Sequence, residues 1–202
     1  MDLKREKGFL LLEDGALFSG LQVLRADAPP PAPSVAEVVF TTNMTGYQEA
    51  FTDPSFKGQI LVMTAPMIGN YGINEEDPES SRPQVAGVVV RELSRAPSNW
   101  RATGDLGSWL ASAKVPLLEE VDTRRLTRHL RECGVVNGVI GVGEGPTAEA
   151  KAALEACPSM EGLDLASRAS TRERYEWGDP DSPLRWTCLS TRTLAVALPR
   201  AP

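Results

Sequence analysis

An α/β or α+β fold is predicted for this chain by three observations. Short apolar runs separated by turn residues fill the first half, and amphipathic helical patterns fill most of the second. A single apolar run, Val135 to Val142, returns between two of those helical patterns. Strands followed by helices in one continuous core make a mixed domain. At 202 residues the chain is long enough for one sizeable core, or for one domain with a trailing appendage.

The elements follow in order. Phe9-Leu10-Leu11-Leu12, then Asp14-Gly15, then Leu17-Phe18 reads as a hairpin, because Asp-Gly suits the tight turn between strands. Leu21 to Leu24 extends it, and Ala28 to Pro33 is a stiff, proline-rich connector. Val38-Val39-Phe40 and Gln59 to Thr64 are two strands around a polar elbow, residues 41–56, in which Gly46 to Phe51 form a single helical turn. Beyond the Gly/Asn/Glu-rich loop 67–84, Val85 to Leu93 reads as one buried strand.

Asp105 to Lys114 reads as a helix with Leu106, Trp109 and Leu110 on one face. The strongest helix signal is 122–133. The Asp122 carboxylate can accept free backbone N–H groups of the first turn, Val121 and Leu126 stand at the two positions of a hydrophobic staple, and Gly134 supplies the stop. Val135 to Val142 is a returning strand, and Thr147 to Cys157 is a last helix capped by Thr147. These elements make a domain over residues 1–157. Residues 158–182 lose apolar periodicity and gather Ser, Asp, Glu, Pro and Gly, as linkers do. Residues 183–202 hold three of the chain's 21 basic residues and no acidic one, which leaves 18 against 27 elsewhere.

Composition narrows the functional classes. A hydrophobic content of 42% and a charged content of 24% are ordinary for a globular protein. A net charge of −6 argues against nucleic acid or an anionic membrane as main partner. No apolar run approaches the ~20 residues that span a bilayer. The charged start, Met1 to Lys7, does not resemble a signal peptide, so a cytoplasmic location is expected. Cys133, Cys157 and Cys188 are widely spaced, with no C-x-x-C, so neither a disulfide framework nor a zinc site is expected, and the three read as small buried or half-buried residues in a reducing compartment.

The elbow, Thr41-Thr-Asn-Met-Thr-Gly-Tyr-Gln-Glu-Ala-Phe-Thr-Asp-Pro-Ser-Phe56, is the most informative stretch. Loops on a rigid sheet place polar groups accurately, and this one concentrates many of them. It resembles the signature of the N-terminal domain of the carbamoyl-phosphate synthetase small chain, the glutamine-handling partner of that enzyme. Leu12 to Gly15 with Phe18 to Gly20, Ala65 to Gly72, Ser98 to Arg101, Val121 to Leu126 and Asn137-Gly138 resemble further signatures of that domain, in the same order. Small departures exist: Met67 stands where the family commonly has histidine, and the 28–33 loop is unusually rich in proline.

The resemblance implies a layered β/β/α swivelling-type domain that docks the large synthetase chain and forms one wall of the glutamine pocket. It implies that Ser55, the serine of the T-D-P-S string, contacts glutamine; from the residues alone Ser55 also reads as a turn hydroxyl, and Tyr47, Thr52 and Asp53 read as neighbours that orient the loop rather than as ligands. It implies that the complete complex makes carbamoyl phosphate from glutamine, bicarbonate and ATP for pyrimidine and arginine synthesis. ATP and metal are then used by the large chain, and no cofactor is expected in this one. Residues 183–202 do not resemble the start of the family's glutaminase domain, and a truncated or frame-shifted tail is expected there.

The family's glutaminase works through a cysteine in a G-x-C-x-G elbow assisted by histidine and glutamate, since the thiol needs a base to become thiolate. No G-x-C-x-G occurs in this sequence, so no catalytic residue is assigned and this chain alone is expected not to hydrolyse glutamine. The single histidine, His129, is expected to be a surface or packing residue with no cysteine to serve, and no metal-ligand spacing is read. Arg124, Arg125, Arg128 and Arg131 form a basic helix, expected to be a solvated face or a salt-bridge surface between chains. Three readings follow: the small-chain domain, a stand-alone module that binds a large chain without an enzymatic role, and a nucleic-acid binder disfavoured by the acidic balance.

Overall fold

The computed structural model describes residues 2–158 and 162–170. The tail expected at 183–202 lies outside the described residues, as does most of the linker expected at 158–182.

The chain opens with the anticipated hairpin. Strand β1 (Leu3–Leu12) pairs antiparallel with β2 (Leu17–Arg25) around the Asp14-Gly15 turn. β3 (Ser34–Thr41) leads into the elbow, which holds α1 (Tyr47–Thr52) and a 3₁₀ turn (Pro54–Phe56) before β4 (Ile60–Met63). β5 (Met67–Ile68), β6 (Gly87–Val89) and β7 (Glu92–Leu93) follow. The second half holds α2 (Leu106–Ser112), β8 (Leu117–Glu119), α3 (Thr123–Cys133), β9 (Asn137–Val142), α4 (Ala148–Glu155) and α5 (Leu165–Ala169).

The mixed α/β class holds, and the main sheet closes on itself. Seven strands form a barrel in the order β1-β2-β8-β6-β4-β3-β9, with β9 returning antiparallel to β1. The β3-β4, β4-β6 and β6-β8 pairs are parallel, and the remaining pairs are antiparallel. One apolar cluster draws a residue from every barrel strand, among them Leu10, Phe18, Val38, Ile60, Val89, Leu118 and Ile140, and Leu126 and Leu130 of α3 complete it. Outside the barrel a second cluster joins Tyr47 and Phe51 of α1 to Leu106 and Leu110 of α2, over Leu61 and Met63. Along β4 the residues therefore alternate between two cores, which is why Ile60 to Met63 read as one unbroken apolar run.

Capping explains where the helices start. Asp105, Asp122, Thr147 and Asp164 each accept, through the side chain, the backbone N–H three residues on. Val121 and Leu126 are both buried in the barrel cluster, as a staple requires. Two details differ from expectation. Val85 to Leu93 is two strands, because the chain leaves the barrel after Val90 and Glu92-Leu93 pairs with β5 in a separate parallel sheet. Within the expected linker, Asp164 nucleates α5 by accepting from the Ser167 N–H at 3.0 Å. Among the described residues, no helix is long and apolar enough to cross a membrane.

Candidate functional site

The elbow between β3 and β4 is fixed from the inside and open at its tip. Thr42, Asn43, Met44 and Thr45 are exposed. Gly46 then adopts φ 77°, a left-handed conformation that glycine enters without the steric cost a side chain brings, and turns the chain into α1. Gly46 offers no side-chain cap, and the missing acceptor is supplied from a distant loop. The Tyr71 hydroxyl accepts from the N–H groups of Gly46 at 2.6 Å and Tyr47 at 3.1 Å. The Tyr71 ring stacks on Tyr47 at 4.1 Å, and the fully buried Tyr47 donates its own hydroxyl to the Gly72 carbonyl at 2.6 Å. Burial, and then the neighbouring Tyr71, push the Tyr47 phenol well above its ordinary value, so it stays a neutral donor.

Two further side chains tie α1 to the loop 71–84. The buried Gln48 amide makes a two-point clamp: it donates to the Asn74 carbonyl at 2.7 Å and accepts from the Asn74 N–H at 2.9 Å. Buried Thr52 accepts from the Glu79 N–H at 2.8 Å and donates to the Gln48 carbonyl at 2.8 Å, while Ser80 donates to the Thr52 carbonyl at 2.6 Å. Beyond this anchor the chain reverses through Asp53. The Asp53 carboxylate accepts from the Ser55 N–H at 2.7 Å and from the Ser55 hydroxyl at 2.6 Å. Ser55 itself is exposed. Its hydroxyl proton is held inward by Asp53, which leaves oxygen lone pairs for an incoming donor.

The surroundings are acidic. Glu49 is half-buried with one carboxylate oxygen unpartnered, and burial followed by nearby Asp77 raises its pKa above the usual carboxylate value. Glu79 is also raised, by burial first and then by Asp53 and Glu49. Arg101 bridges Glu76 at 3.0 Å and Asp77 at 2.7 Å, which binds the Ser98–Arg101 segment to the same loop.

The model of the carbamoyl-phosphate synthase small chain, CPSase domain, matches residues 10–140, which contain the whole elbow and strands β2, β3, β4, β6 and β8 of the barrel. This chain belongs to the carbamoyl-phosphate synthase small-chain family. It is 44% identical over 179 residues to the carbamoyl phosphate synthase small chain of a Synechococcus strain, an alignment covering 89% of this chain and 44% of that protein. The small chain of Pseudomonas putida is 48% identical over 169 residues, covering 83% and 43%, and that of Salmonella typhi 45% over 175 residues, covering 85% and 44%. The chain thus spans less than half the length of the curated relatives it matches.

Among this small-chain family's departures noted above, Met67 is 44% exposed in the two-stranded sheet. Trp100, at 92%, and Met44, at 79%, are other large apolar side chains turned to solvent. On the basic helix, Arg125 stands 4.3 Å over the Phe18 ring and donates to the Leu17 carbonyl at 3.1 Å, so part of that helix packs against the hairpin. An open cleft of about 370 Å³ runs along it, lined by Asp122, Arg124, Arg128 and Glu132 among others.

Two expectations are corrected. Cys133, expected to be buried or half-buried, is exposed, because it closes the last turn of α3. His129 does have a cysteine beside it: Cys133, one turn later on α3, brings its sulfur to 3.5 Å from His129 Nε2. His129 Nε2 also lies 2.6 Å from Asp14 Oδ2, on the hairpin turn. The i, i+4 spacing of His129 and Cys133 was legible in the sequence, because such residues share a helix face. The Asp14 contribution was not, since it depends on how the hairpin packs against α3.

Proposed function

We propose that this chain acts as the N-terminal domain of a carbamoyl-phosphate synthase small chain, docking the large synthetase chain and lining the glutamine pocket. The observation that carries the reading is the exposed Ser55 hydroxyl, held by Asp53 in the turn that follows α1, a helix that Tyr71, Gln48 and Thr52 tie to the loop 71–84. A pocket wall needs such rigidity, since a hydroxyl that wanders discriminates poorly between ligands. In the complete complex the large chain combines glutamine-derived ammonia with bicarbonate and ATP, in service of pyrimidine and arginine synthesis. Exposed Met44, Met67 and Trp100 are apolar groups of the kind that interface cores favour.

The pocket assignment is tested by Ser55→Ala in a small chain that continues through a glutaminase domain. The expected result is a raised Michaelis constant for glutamine with the fold intact. Wild-type values for both the Michaelis constant and the hydrolysis rate would show that Ser55 is only a turn hydroxyl. Docking is tested by co-purification of this chain with a large chain. Binding without support of glutamine-dependent synthesis would favour a stand-alone module instead, and ammonia release by this chain alone would contradict the absence of a glutaminase role.

A further inference from the structure

Asp14, His129 and Cys133 take no part in the elbow or in its contacts, yet their donor atoms all lie within 4.8 Å of one another. The hairpin turn supplies the carboxylate and α3 supplies the imidazole and thiol. Cys133 Sγ is 3.5 Å from His129 Nε2 and 3.6 Å from Asp14 Oδ2. A tetrahedral zinc ion with one thiolate at about 2.3 Å and two lighter ligands at about 2.0–2.1 Å requires sulfur-to-ligand edges of about 3.5 Å. Both sulfur edges therefore already have the required length. The third edge, between Nε2 and Oδ2, is a 2.6 Å hydrogen bond and has to open by about 0.7 Å as the ion replaces the shared proton.

The ligands are also held from behind. Asp14 Oδ1 accepts from the Ala16 N–H at 2.9 Å, which turns Oδ2 toward His129 and Cys133. The Phe18 ring meets the imidazole edge-on at 6.1 Å and restrains its plane. Such outer contacts are what orient metal ligands. Asp14 and Cys133 are exposed, so an ion can enter and a water can fill the fourth position. The arginines of α3 oppose a dication, but one carboxylate and one thiolate neutralise its charge, and Glu132 is adjacent.

We infer that Asp14, His129 and Cys133 bind a thiolate-preferring divalent ion, zinc by ligand chemistry, which pins the end of α3 to the hairpin turn. A sulfur and an imidazole donor select zinc-like ions over magnesium or calcium. The sulfur binds as thiolate, so loading releases the Cys133 thiol proton to solvent.

The test is a titration of the metal-free, reduced full chain with cobalt(II), which reports a thiolate ligand by a charge-transfer absorption in the near ultraviolet. One cobalt per chain with that band is expected, and Cys133→Ser should abolish the band while Cys157→Ser and Cys188→Ser keep it. Asp14→Asn and His129→Asn should each weaken binding by more than about tenfold. Thermal melts of the metal-free variants, matched to the parent, separate ligand loss from misfolding. No band at excess cobalt, a band that survives Cys133→Ser, or parental affinity in both other variants would overturn the inference.

Discussion

Tyr71→Phe removes one oxygen and keeps the ring that stacks on Tyr47 at 4.1 Å, so it isolates the cap of α1. Two backbone N–H groups, those of Gly46 and Tyr47, lose their acceptor together. Losing a helix cap costs about 0.5–2 kcal/mol, and a buried donor left without a partner about 1–3 kcal/mol. The two descriptions overlap, because the cap is the partner, so a loss of about 2 kcal/mol is expected rather than their sum. For a domain of this size that lowers Tm by roughly 4–8 °C. Urea unfolding and a thermal melt of parent and variant measure it. A change within about 0.5 kcal/mol would mean that water replaces the hydroxyl and that the elbow is not locked by it. A companion variant, Tyr47→Phe, deprives the Gly72 carbonyl of a donor, and a similar cost there would show that both tyrosines act on the same elbow.

Glu49→Gln is expected to raise Tm at neutral pH. The folded-state pKa of Glu49 is raised, so stability falls as pH climbs from the ordinary carboxylate value to the folded one; the gain should vanish in acid, and a gain constant from about pH 4 to about pH 8 would contradict this. Arg5→Met removes the near partner of Glu119, which is 1% exposed, and leaves it, among the described residues, with Arg95 at 3.6 Å; a loss of about 3–5 kcal/mol in urea unfolding is expected. Arg95→Ala, whose side chain is 59% exposed, should cost under about 1 kcal/mol, and equal losses would refute the ranking. Gly141→Ala drives a Cβ into the Phe9 ring and should cost about 1–3 kcal/mol, while Gly145→Ala meets nothing within 4 Å and serves as the neutral control.

Local signals were the legible ones. The Asp14-Gly15 hairpin, the Asp122 and Thr147 caps and the Val121–Leu126 staple each depend on residues a few positions apart, and each appears where the sequence places it. Leu117 to Glu119 was not read as a strand. Three residues carry too little periodicity, and β8 exists because β2 and β6 hold it on either side. The two-residue strands β5 and β7 are likewise a product of their partnership. In the elbow, Tyr47 and Thr52 are buried and bonded to the loop 71–84, and Asp53 holds Ser55. Tyr71 as a cap 25 residues away left no trace in its own neighbourhood, and neither did the approach of Asp14 to His129.

Closure of the barrel by β1 and β9 sets a condition on synthesis. Strand β1 finds its second neighbour only when residues 138–142 have been made, and Gly8 to Leu12 stay open along that edge until then. A nascent chain stalled near residue 130 is therefore expected to be cleaved readily in the hairpin, and one stalled some forty residues beyond β9, clear of the exit tunnel, to resist. Equal protease sensitivity at both lengths would mean that the hairpin is shielded without its last neighbour. In the cell, the interval between those two lengths is when this domain has most need of a chaperone.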